Sequence, residues 1–264
     1  RDLVVGEPGD GWRVANATLM NERVSIGSEV APQGSGPIAG AIAAWRVCKN
    51  PTAVLREGID PYSIDPQVIA GNYGGLKVLA EKEAQKHYPG IWTVIRPCLI
   101  VGPLDRTDRF TWWPARIDKG GEVLAPDKPD DPCQFIDARD LAEWTVRMAE
   151  MREFGLYNAI GPAHPMTVSE MLYGVKAITT AGARFTWVPW DFLQAQKVRP
   201  WRDMTVWQPP VGRTAGYQRR DASKAIAKGL TFRPIAVTAK DTLDWHKTRP
   251  AQEQAATLDG AING

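Results

Sequence analysis

Two consecutive stretches constrain the fold more than any other part of the chain. The run from Tyr73 to His87 puts Leu76, Val78, Leu79 and Ala80 on an apolar side and Glu81, Lys82, Glu83 and Lys86 on a polar side, the pattern of a surface helix. After Pro89-Gly90, the run Trp92-Thr-Val-Ile-Arg-Pro-Cys-Leu-Ile-Val-Gly-Pro103 reads as a buried parallel strand that breaks at Gly102-Pro103. Helix, short turn and strand make an α/β unit, so the chain is expected to contain a parallel sheet covered by helices.

The same helix carries the strongest chemical signal. Tyr73 and Lys77 lie four residues apart and so share one face. A phenol titrates near ~10. An ammonium beside it favours the phenolate, which lets the pair work as a general acid/base nearer neutrality. A lone Y-x-x-x-K is common on helix surfaces; the strand that follows gives this one its weight.

That order of motifs resembles the extended and atypical short-chain dehydrogenase/reductases, the NAD-dependent epimerase/dehydratase group. The resemblance runs from the Tyr/Lys helix through Arg96-Pro97 to Gly102-Pro103, then Asp105-Arg-Thr-Asp-Arg-Phe110, Gln134-Phe-Ile-Asp-Ala-Arg-Asp-Leu-Ala142 and Gly155-Leu-Tyr-Asn-Ala-Ile-Gly-Pro162. It ends in Gly229-Leu-Thr-Phe-Arg-Pro234 and Thr242-Leu-Asp-Trp245, covering roughly residues 47–249. It implies a partial Rossmann-like α/β fold, an NAD or NADP cofactor and a small-molecule substrate. It further implies that Tyr73 is the catalytic acid/base and that Lys77 binds the nicotinamide ribose and lowers the Tyr pKa. Arg96, Pro97 and Leu99 would lie by the nicotinamide. The smaller region beyond would close over the substrate, with its aromatics forming an apolar pocket and Arg202 or Arg213 contacting an anion. The family's S-S-x-x-V-Y motif has no serine here: Ala43, Ala44, Trp45 and Arg46 precede Val47-Cys48, and no catalytic Ser is assigned.

Residues 1–46 read differently, as a mostly helical segment. The glycines of Gly6-Glu-Pro-Gly-Asp-Gly11 imitate a dinucleotide loop, but Pro8 removes an amide that would cradle phosphate, and no acid-ended second strand follows ~20 residues on. Leu3 to Ala15 and Thr18 to Gly27 resemble a fragment of acyl-CoA dehydrogenases, in which the Arg matching Arg23 helps to bind FAD. A complete short-chain enzyme needs on the order of 100 residues before its Tyr. The expectation is therefore an NAD(P)-dependent oxidoreductase by descent, impaired because its cofactor-binding half is missing. The alternatives are a non-catalytic chimeric chain acting as a binding or interaction module and a flavoprotein fragment. The expected division is residues 1–46, residues 47–249 and a flexible tail over 250–264.

The rest of the sequence bounds rather than directs. A net charge of +2 gives no pull toward nucleic acid or a membrane surface. The 3 cysteines and 3 histidines show no metal-ligand spacing, so no metal site is expected. No apolar run of ~18 residues occurs, which points to a cytoplasmic protein. Downstream, helices are expected over 110–119, 138–151, 167–180, 190–196, 221–228 and 237–245, with strands over 122–126, 134–137, 155–161 and 185–189. Gly120-Gly121 should stop the first of these helices, Asp137 should cap the second, and Thr167 with Glu170 should form a capping box on the third. The tail from Arg249 is expected to be disordered.

Overall fold

The computed structural model describes residues 81, 82 and 84–259. The proposed segment 1–46, the junction that follows it, and Tyr73 and Lys77 lie outside the described residues. The chain divides into two compact units, one comprising Arg1–Val94 with Ala149–Leu156 and the other Ile95–Met148 with Tyr157–Gly264.

In the first unit, the helical stretch ending at residue 87 closes with the Tyr88 amide donating to the Ala84 carbonyl at 3.0 Å. Gly90, at φ +80°, turns the chain, as the Pro-Gly pair predicts. The Gly155 amide then donates to the Trp92 carbonyl at 2.8 Å, and the Thr93 hydroxyl donates to the Glu153 carbonyl at 2.6 Å.

The single strand expected over 92–103 is two strands, β1 (Thr93–Pro97) and β2 (Leu99–Val101). Pro97 has no amide to give to a ladder, so pairing stops there and resumes with different partners. β1 neighbours β5 (Gly155–Ala159), whereas β2 pairs in parallel with β4 (Pro132–Asp137), Leu99 opposite Phe135 and Val101 opposite Asp137. A second division falls at Ile160. The strand expected over 155–161 ends at Ala159, and β6 (Gly161–Thr167) runs antiparallel to β4, with a register shift between Cys133 and Phe135. β6 was not expected because it contains Pro162 and Pro165. It is the outer strand of the β2-β4-β6 sheet, where missing donors are tolerated. A third sheet pairs β3 (Gly121–Pro126) in parallel with β7 (Ala183–Val188).

The helices follow the expected signals. α1 (Trp112–Asp118) stops where Gly120 and Gly121 take φ +70° and +71°. α2 (Ala138–Glu150) starts at Asp137, whose carboxylate accepts from the Arg139 amide at 2.8 Å. α3 (Val168–Lys176) carries the full capping box, with Thr167 Oγ1 accepting from the Glu170 amide and the Glu170 carboxylate accepting from the Thr167 amide. α4 (Trp190–Ala195), α5 (Ser223–Ala227) and α6 (Ile235–Lys247) follow in order. The expected disorder from Arg249 is corrected over Ala251–Asp259, which forms helix α7. Its polar composition hides an anchor: Arg249 and Thr257 both bond to Asp108.

Two apolar clusters hold the larger unit. The first gathers Trp113, Phe110, Ile117, Met171, Leu172, Val175 and Trp207 between α1, α3 and the β3-β7 pair. The second, smaller one gathers Ile136, Trp144, Met148, Tyr157, Ala225 and Leu230, with Ile95 and Cys98 packed against it.

Candidate functional site

Of the five residues assigned to a site from sequence, Tyr73 and Lys77 fall outside the described residues. Arg96 and Pro97 close β1 and are exposed. Leu99 opens β2 and is 5% exposed, its side chain taken up by the first apolar cluster. The three residues are therefore neighbours in the chain with different surroundings: Arg96 and Pro97 are exposed, and Leu99 is buried.

The link between them, Cys98, sits at the seam where the strands change partners. Its thiol is pushed up to about 11, chiefly by burial; the Gly161 backbone and the charge of Arg220 pull the other way with less effect. Gly161 is required there by space. A Cβ on it would lie 2.6 Å from Phe232 Cδ1 and 2.7 Å from the Phe135 carbonyl oxygen. Arg220 is held by a side chain acting as a piece of strand: Gln134 Nε2 donates to the Arg220 carbonyl at 2.8 Å, and the Arg220 amide donates to Gln134 Oε1 at 3.0 Å. Its guanidinium lies 5.0 Å from the Tyr217 ring centre, and Tyr217 meets Trp201 edge-on at 5.3 Å. Arg220 Nε is buried without a hydrogen-bond partner among the described residues. A positioned, part-buried cation stacked on an aromatic ring can receive an anion. The sequence points to Arg202 and Arg213 for such a contact, and both are exposed; Arg220 is a further candidate position. Only the Gln134 pairing, 86 residues distant, marks it, and no local motif carries that.

At the ends of the parallel strands, Gly102 takes φ +128°, and a Cβ there would meet Asp137 Oδ1 at 3.5 Å. Asp137 is fully engaged. It caps α2, pairs with Arg139 at 2.7 Å and accepts from Thr238 Oγ1 at 2.7 Å. Burial alone would raise its carboxyl; the Arg139 side chain and amide and the Thr238 hydroxyl outweigh it and hold the group below the usual carboxylate value. Arg139 continues the network to Asp241 at 2.5 Å. A carboxylate with this many fixed donors positions backbone rather than moving protons.

The six tryptophans considered for an apolar pocket divide between core and half-buried positions. Trp112, Trp113 and Trp207 are core residues, and Trp187, Trp190 and Trp201 pack against them. Their polar edges tie the irregular segment down: Trp113 Nε1 donates to the Thr205 carbonyl at 3.1 Å and Trp207 Nε1 to Asp131 Oδ2 at 2.8 Å. Among the described residues, no group of three or more His, Cys, Asp or Glu could hold a metal ion, and no helix is long and apolar enough to cross a membrane.

No protein-family model matches the chain, and no curated protein matches it. Among solved structures it is similar to RMD from Pseudomonas aeruginosa complexed with NADPH, at 16% identity and a TM-score of 0.48, over 74% of this chain and 60% of that one. It is similar to WbmF from Bordetella bronchiseptica in complex with NADH, at 15% identity and 0.49, over 71% and 55%. It is also similar to UDP-glucuronic acid 4-epimerase from Bacillus cereus in complex with NAD, at 15% and 0.44, over 73% and 55%. The chain thus spans a little over half the length of the proteins it aligns with.

Proposed function

We propose that the chain is an NAD(P)-dependent oxidoreductase of the epimerase/dehydratase type acting on a small molecule. The observation that carries the reading is the order in which the Tyr73-x-x-x-Lys77 motif of the sequence is followed by strands β1 and β2. Strand β1 carries Arg96-Pro97 at its exposed end, and the next strand, β2, pairs in parallel with β4 as far as Val101 and Asp137. Ligands of open α/β sheets bind beyond the carboxyl ends of parallel strands.

In this reading, the Tyr73 hydroxyl gives or takes the proton at the substrate oxygen. Lys77 keeps its ammonium near the phenol and makes the phenolate accessible near neutral pH. Arg96 and Pro97 border the nicotinamide, and Leu99 contributes backbone while its side chain anchors the strand. A bound nicotinamide supplies the hydride acceptor or donor that complements the Tyr73 proton. Arg220, stacked on Tyr217, supplies a fixed positive charge for an anionic part of the substrate. The comparisons give no support to the acyl-CoA dehydrogenase resemblance of residues 1–46, and this reading takes no flavin chemistry from it.

Calorimetric titration of the purified chain with NADH and with NADPH tests the proposal. Micromolar binding of one of them, weakened by Lys77→Ala and little changed by Tyr73→Phe, would support the reading and overturn the impairment expected from the sequence. A folded chain that binds neither would sink the oxidoreductase reading and leave the non-catalytic interaction module in its place.

A further inference from the structure

We propose that Asp108, His246, Arg249 and Thr257 form a latch, opened by acid, that fastens helix α7 to the loop leaving strand β2. The loop from Gly102 to Phe110 emerges at the end of the parallel ladder and is internally braced. The Asp105 amide donates to the Gly102 carbonyl, and the Asp108 amide to the Asp105 carbonyl. Asp108 takes φ +56°, a conformation aspartate tolerates, and its own carbonyl accepts the Trp112 amide that begins α1. The backbone that carries its carboxylate is therefore braced on both sides.

The other half of the latch lies at the C-terminal end. Arg249 Nη1 donates to Asp108 Oδ1 at 2.7 Å and the Thr257 hydroxyl donates to Asp108 Oδ2 at 2.8 Å, so both carboxylate oxygens are used. Arg249 also donates to Thr257 Oγ1 at 3.2 Å and to Glu253 at 3.1 Å, and its guanidinium lies over the Trp245 ring. Its side chain is only 11% exposed, so these bonds are shielded from water. Leu258 completes the attachment by packing against the first apolar cluster.

His246 sets the condition under which the latch closes. It is 5% exposed, and Nδ1 stands 3.5 Å from Arg249 Nη1. A guanidinium can only donate, so Nδ1 must keep its lone pair and the proton must sit on Nε2. Protonation would set a second positive charge against Arg249 in a buried place. Around the ring, Arg249 precedes α7, Lys119 follows α1 and Lys247 lies on the same helix α6; all three oppose protonation, and Asp108 favours it. Glu253 reaches the cluster through Arg249, and Asp118 offsets Lys247 at 2.8 Å. Burial is the largest influence and, with these charges, holds the histidine below its usual value. A base whose folded pKa is depressed stabilises the folded form fully when neutral. That stability is lost as pH falls below the unfolded value of 6.5.

Amide hydrogen exchange on the whole chain reads this directly, corrected for the intrinsic pH dependence of exchange. Between about pH 7.5 and about pH 5.5, exchange over residues 251–259 should quicken roughly tenfold, together with the loop 103–110, while α3 stays protected. His246→Asn keeps a neutral acceptor and should abolish the acceleration. Arg249→Gln should give fast α7 exchange at both pH values; if it does not fold, Thr257→Val takes its place, with the same expectation. Equal α7 exchange at the two pH values in the unmodified chain, or undiminished acceleration in His246→Asn, would overturn the latch.

Discussion

The two apolar clusters of the larger unit differ in what closes them. The first is closed by tryptophans: Trp113 and Trp207 are fully buried, and each spends its indole N–H on a distant loop, Trp113 on the Thr205 carbonyl and Trp207 on the Asp131 carboxylate. The second has a single tryptophan, Trp144, which donates to the Lys228 carbonyl, and is rimmed by ion pairs joining Arg233 to Asp140 and Glu143. A large aromatic core can support a long irregular segment such as 199–216 because each ring removes much apolar surface from water and carries one polar handle. A small core beside a strand seam lacks that reserve, and charged pairs fix its register instead. The first cluster therefore governs whether the unit folds, and the second governs how finely the seam at Cys98 is placed.

The largest expected effect breaks the first cluster. Trp113→Ala should cost about 3–5 kcal/mol in denaturant unfolding, because it opens a cavity and orphans the Thr205 carbonyl. A cost no larger than that of Trp144→Ala would erase the asymmetry between the clusters. Next in size, Asp137→Ala removes the α2 cap and the partners of Arg139 and Thr238, at about 2 kcal/mol once the half-open Arg139 is discounted. The Asp137 carboxyl is held below 3.8, so its contribution is present above that value and lost as pH falls through the lower folded pKa. Unfolding free energy followed from about pH 5 to about pH 2 should decline less steeply in Asp137→Asn.

Gly161→Ala sharpens the comparison at the seam. The new methyl has backbone on one side and Phe232 on the other, and should cost about 1–3 kcal/mol. Adding Phe232→Leu should recover part of that, since the ring is the neighbour able to yield. The smallest effect is chemical. With a thiol near 11, on the order of one Cys98 in a thousand is thiolate at about pH 8, so alkylation should be slow. Trp144→Phe should speed it several-fold by loosening the second cluster. An unchanged rate would mean that this cluster does not shield the thiol.

How much of this was legible in the sequence depends on how local the signal was. Thr167 with Glu170, Asp137 before α2 and the Gly120-Gly121 stop are signals that act over one helical turn, and each appears in the structure as read. The break at Pro97 carried its own mark, the missing amide, but was submerged in a continuous apolar run. β6 escaped because proline argues against strand unless the strand is known to lie at a sheet edge, which is a fact of topology. Helix α7 escaped because its polar face gave no apolar stripe, and its anchor Asp108 lies 141 residues from Arg249. The same distance limit applied at the candidate site: Arg96 and Pro97 followed from a motif, but Arg220 is defined by Gln134, far off in the chain.

The β3-β7 ladder has a consequence for how the chain reaches this state. Glu122 and Thr186 meet across it although 64 residues separate them. Parallel strands joined at that distance repay loop closure only after the intervening β4, α2, β5, β6 and α3 have somewhere to stand. The ladder is thus a late contact, and until it closes the apolar edge of Val123 and Ala125 stays open to other chains. During synthesis, this portion gains protection from aggregation only once the ribosome has passed residue 188, the far end of β7. Translation that slows before β7 has emerged from the ribosome would lengthen the exposure, and slowing after it has emerged would not.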